Sequence, residues 1–77
     1  MQNKGREYFI VTTTVTDIIE KKNYGNKYKT TFLCKSNTKT QRVCIFWANS
    51  NIKIGDNIEM KGFFANAAFI VKSLFII

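Results

Sequence analysis

Seventy-seven residues with 45% hydrophobic and 14% aromatic content suffice for one small domain, since a chain of this size buries only about 60% of the surface it exposes unfolded. Twelve Lys and Arg against five Asp and Glu, with no His, leave a net charge of +7, which favours polyanionic partners. The same counts exclude much: two cysteines without histidine cannot complete a zinc site, and the scattered carboxylates Glu7, Asp17, Glu20, Asp56 and Glu59 assemble no nucleophile–base pair.

The chain therefore reads as a non-enzymatic, cofactor-free single domain over residues 1–77. The polar opening MQNKGREY has no signal-peptide character, and residues 1–7 are expected to be a disordered N-terminus. No apolar run approaches the ~20 residues of a membrane span. Cys34 and Cys44 read as small apolar residues on neighbouring strands in a reducing, cytoplasmic setting.

Turn residues punctuate β-branched and aromatic runs at short intervals, a pattern of several short strands. The first is predicted over Tyr8 to Ile19, with Val11, Thr13 and Val15 on one face and Ile10, Thr12, Thr14 and Thr16 on the other. Glu20 to Lys27 reads as a basic loop with a Gly-Asn turn signal. The second strand covers Tyr28 to Lys35, and Ser36 to Lys39 turns into the third, Thr40 to Ala48. Asn49 to Lys53 is too short for a stable helix. Gly55-Asp56 turns the chain into a fourth strand, Ile58 to Phe64. A tight Ala65-Asn66-Ala67 connection leads to the fifth, Phe69 to Ile76. Closing these strands into a barrel removes exposed edges, so the expected fold is all-β, a small closed five-stranded barrel. An open meander or an SH3-like barrel is the rival.

The segment NIKIGDNIEMKGFF, Asn51 to Phe64, resembles the K-x-G-D-x-V-x-V-x-G-x-L passage of OB-fold nucleic-acid-binding proteins. FIVTTTVTDIIEKKNYGNKYKTTFLC resembles the first two strands of the single-stranded DNA-binding protein family, and TQRVCIFW stands where that family has its third strand. The likeness spans residues 8 to 77 and implies a five-stranded OB-fold barrel. Two departures are plain. The sequence runs to LFII without the acidic tail through which the family recruits partners, and the loop between strands four and five is minimal. In style the chain is similar to small OB-fold proteins of the primosomal replication protein N kind.

Single strands are held by aromatic platforms and a basic groove. On the third strand, Val43, Ile45 and Trp47 share the more apolar face and are expected inside. Arg42 and Phe46 then point outward, where the resemblance matches Phe46 to a stacking aromatic and Arg42 to its basic neighbour. Trp47, at the strand end, could equally reach the rim. The second strand reads two ways. The resemblance puts Leu33 inside and sends Tyr28 and Phe32 outward to stack, whereas hydrophobicity puts Tyr28, Phe32 and Cys34 in the core. Tyr24 is a loop platform among Lys21, Lys22 and Lys27. Alternation turns Phe64 inward and exposes Phe63 beside Lys61. Lys35 extends the basic track, and Asp56 is a turn residue.

These residues point to a protein that binds single-stranded nucleic acid without sequence preference, DNA ahead of RNA, by base stacking and phosphate contacts. Replication, recombination or mobile-element maintenance is the expected setting, with a homo-oligomer and a helicase, primase or polymerase as partners. The alternatives are an OB-fold accessory subunit of a replication enzyme, docking through Phe63, Phe75 and Ile77, or an RNA-binding OB protein.

Overall fold

The structure, a computed structural model, describes residues 7–36 and 41–77. Five strands follow in chain order: β1 Phe9–Asn23, β2 Tyr28–Cys34, β3 Arg42–Phe46, β4 Asn57–Ala65 and β5 Ala68–Ile76. They close into a barrel in the order β1-β2-β3-β5-β4, with every neighbour antiparallel except the β3–β5 pair. This is the OB-fold arrangement.

Strand β1 serves both halves of the barrel. Residues Phe9 to Thr14 pair with β4, and from Val15 onward it pairs with β2. Val15 marks the change of partner: its N–H donates to Asp56 (2.9 Å) and its carbonyl accepts from Gly55 (2.8 Å). Two register shifts follow, between Val15 and Asp17 and between Ile18 and Glu20, bending the strand so that it can close the barrel. The strand also runs past the predicted loop start at Glu20. Glu20, Lys21, Lys22 and Asn23 each have a partner on β2, so cross-strand bonding outweighs the polar composition of this segment. The loop proper shrinks to a turn in which Tyr24 N–H donates to Lys27 (2.7 Å) and Gly25 takes φ 82, a conformation open to glycine.

The core comprises Val15, Phe32, Cys34, Cys44, Ile52, Ile58, Met60, Phe69 and Val71, with Val11, Ile18, Phe46 and Leu74 packed against it. Ile52, in the segment between β3 and β4, is 1% exposed and fills the interior without any helix to carry it. Asp56 is the turn residue expected: its carboxylate accepts from Lys53 N–H (2.9 Å), and its own N–H donates to the Lys53 carbonyl. The β4–β5 hairpin turns on Asn66 (φ 52) and Ala67 (φ 65), the two positive φ values of a type I′ turn.

Facing is where the structure corrects the sequence reading. Residues opposite one another in adjacent strands share a face. Phe32 pairs with Cys44 and Thr30 with Phe46, so burying Phe32 and Thr30 commits Cys44 and Phe46 to the interior. Val43, Ile45 and Trp47 therefore face outward, the reverse of the expected parity. The third strand misleads because both of its faces are apolar. On β4, Gly62 follows a register shift after Lys61. Phe64 does take the inward side, opposite the buried Phe69, but at the barrel rim it stays 46% exposed. Phe63, expected to be exposed, is half-buried. The start of the predicted third strand at Thr40, most of the Ser36 to Lys39 turn and most of the expected disordered N-terminus lie outside the described residues. Among the described residues no helix is long and apolar enough to cross a membrane.

Candidate nucleic-acid interface

The outer sheet face is assembled by register. Thr31, Ile45, Ile70 and Phe63 stand opposite one another in turn across β2, β3, β5 and β4. All four are half-buried, a continuous row that is apolar apart from one hydroxyl. Leu33, Val43, Ala68 and Ala65 form the next row.

Aromatic rings and cations flank these rows at both ends. Where β1 turns into β2, Tyr24 and Trp47 lie with ring centroids 6.0 Å apart and planes tilted by 38°. Both rings are about half exposed, 46% and 54%. Lys22 Nζ lies 5.3 Å from the Tyr24 ring and Lys29 Nζ 5.0 Å from the Trp47 ring. Tyr28 is exposed nearby at the start of β2, and Lys27 closes the turn. At the other end, the ring of Tyr8 meets Phe63 edge-on at 5.7 Å, with Lys61 Nζ 5.8 Å from the Tyr8 ring. Phe63 is thus covered by a residue the sequence reading overlooked.

A third group sits at the rim. Phe64 contacts Phe9 at 5.3 Å and Phe69 at 4.9 Å, and the Arg42 guanidinium lies 4.9 Å from the Phe64 ring. An open groove of about 650 Å³ beside it is lined by Lys35, Arg42, Phe9, Phe64 and the threonines Thr12 to Thr14. The described residues thus hold four cation–π pairs. Cations and rings share the same places on this surface, which is what stacking bases with attached phosphates require.

Two expected platforms are not available. Phe32 and Cys34 are fully buried, as hydrophobicity placed them, so the outward reading of Phe32 taken from the resemblance fails; Tyr28, the first residue of β2, is exposed. Phe46 packs on the core. Lys21 is separated from its neighbour Lys22 by strand alternation: its Nζ lies 3.5 Å from the Ile52 carbonyl, away from the Tyr24–Trp47 pair. Trp47 and Lys29, in contrast, stand together in the exposed aromatic–cation cluster. Their signal in the sequence was Phe32: once it is assigned to the core, pairing turns both outward.

Beneath this face the two cysteines are free, with Cys34 and Cys44 Sγ atoms 3.4 Å apart and both residues 0% exposed. The hydrogen bond to Cys34, then burial, hold the Cys44 thiol well above its ordinary value. No group of three or more potential metal ligands occurs among the described residues. Comparison with protein-family models, curated proteins and solved structures finds no match for this chain.

Proposed function

We propose that this protein binds single-stranded nucleic acid, DNA ahead of RNA, along the outer face from the Tyr24–Trp47 pair toward Tyr8 and Phe63. The observation that carries the reading is the half-exposed Tyr24–Trp47 pair with a lysine over each ring. Bases stack on the rings, each contributing about 1–3 kcal/mol. Lys22, Lys27 and Lys29 meet phosphates, and the half-buried row between the clusters accepts sugar and base edges. The strands β2 and β3 and the β1–β2 loop are also where OB-folds bind oligonucleotides. The likeness of Asn51 to Phe64 to OB-fold nucleic-acid-binding proteins, and of the first two strands to the single-stranded DNA-binding family, adds support, and with it a setting in replication or recombination.

Trp47 is the only tryptophan, so its fluorescence reads the site directly. The test is a titration with oligo-dT of about thirty nucleotides, longer than the about 4–16 that one OB barrel covers. Duplex DNA and oligo-U serve as competitors. Salt-sensitive quenching that duplex displaces poorly supports the proposal and ranks DNA against RNA. Unchanged Trp47 emission and no change in anisotropy at low salt would overturn it.

A further inference from the structure

Strand β5 is longer than the partner it meets on one side. Its pairing with β3 ends at Phe46 opposite Val71, while its pairing with β4 continues to Ile76. Ile77 N–H donates to the Asn57 carbonyl (2.8 Å), so odd-numbered residues at this end turn their polar groups toward β4. Alternation then directs the N–H and C=O of Leu74 and Ile76 away from the sheet. Among the described residues no backbone group bonds them from that side. They border an open cleft of about 800 Å³, whose other wall is Lys21, Phe46 and Asn49 to Asn51. Phe75 at its mouth is 65% exposed.

We propose that this cleft binds an extended peptide segment in which acidic side chains alternate with apolar ones, added to β5 as a further strand. An open strand edge offers alternating donors and acceptors, and only another peptide backbone satisfies both. A polynucleotide backbone brings phosphate acceptors only, and does not repeat the alternating N–H and C=O of a strand edge. Apolar side chains of the segment lie on Phe46, Leu74 and Phe75. A carboxylate reaches Lys21, whose ammonium stands in the lining near the Ile52 carbonyl. No Asp or Glu lines the cleft, and the chain carries +7. Charge also argues against a second copy of β5 as the occupant. That strand contains Lys72 and no carboxylate, so it would bring like charge to Lys21.

The probe is a fluorescein-labelled, capped octapeptide alternating Glu or Asp with Val and Ile, beside a version with Lys at every acidic position. Anisotropy and amide hydrogen exchange are read with the full chain. The acidic peptide is expected to bind and to slow exchange at Leu74 and Ile76. Lys21→Glu is expected to weaken it at least ten-fold and to let the lysine version bind. Three results would overturn the proposal. One is no binding, with exchange at Leu74 and Ile76 unchanged. Another is protection confined to the Tyr24–Trp47 region. The last is slow exchange at Leu74 and Ile76 without peptide in a chain that sediments as a dimer. The oligo-dT titration is independent of each.

Discussion

Gly62 lies directly beneath the backbone of Ile70, so that a Cβ placed on it would run into the Ile70 carbonyl, with the Phe69 ring 3.1 Å away. It follows the register shift at Lys61, where β4 and β5 close over the core. Gly62→Ala forces backbone apart rather than a flexible side chain, and it is expected to cost about 1–3 kcal/mol or more. Urea denaturation followed by circular dichroism measures it. Gly25→Ala is the control. Nothing lies within 4 Å of its Cβ position, so the loss is that of a positive φ alone, about 1 kcal/mol.

The opposite change is available at Ala67. Its φ of 65 is a left-handed conformation that costs a residue with a Cβ about 1–2 kcal/mol, and type I′ turns favour glycine there. Ala67→Gly is expected to raise stability by about 1 kcal/mol, less the extra entropy of the unfolded chain. A rise in the urea midpoint with unchanged slope checks it.

Trp47 and Phe46 are adjacent in sequence and opposite in facing, so their alanine variants separate binding from folding. Trp47→Ala is expected to weaken oligo-dT binding by about 1–3 kcal/mol with the urea midpoint retained. Phe46→Ala removes a ring packed on the core and is expected to lower stability by about 3 kcal/mol. Where it remains folded, its oligo-dT affinity by anisotropy stays near wild type.

The lysines divide in the same way. Lys22→Ala and Lys29→Ala are each expected to flatten the slope of log K against log[salt] by about 0.7 on single strands. Lys21→Ala, beside Ile52, is expected to leave that slope unchanged. Titrations at several salt concentrations give the three slopes.

Cys44 predicts a loss of stability at alkaline pH. Its folded-state pKa lies above the ordinary thiol value of 9.0, so above pH 9 the unfolded chain releases a proton that the folded chain keeps. Its contribution is complete below pH 9 and declines as pH rises past it. Thermal melts of wild type and Cys44→Ala across this range should converge as the pH climbs.

Strand order and turns were legible because their signals are local. Gly25, Gly55 and Asn66 mark turns by their own backbone preferences, and five runs of β-branched and aromatic residues needed no long-range information. The facing of β3 was not legible, since Val43, Cys44, Ile45 and Phe46 are all apolar and alternation cannot orient them. Register with β2 decides it, and register depends on partners distant in sequence. Ile52 was hidden for a similar reason: an isolated isoleucine in a polar connection shows its burial only when the barrel closes around it. The rings Tyr8 and Trp47 come together with Phe63 and Tyr24 through pairing alone.

The β3–β5 pair has a consequence for how the chain acquires its shape. It joins Arg42–Phe46 to the start of the last of the five strands, and β5 also seals β4 along its length. Until β5 is present, β3 and β4 each carry an open edge that can capture another polypeptide. A nascent chain emerging from a ribosome has no intermediate stopping place that shields both. Folding is expected to be a single late event, slow for so short a chain because its contacts are distant in sequence, and truncation before Ala68 is expected to yield aggregates rather than a smaller domain.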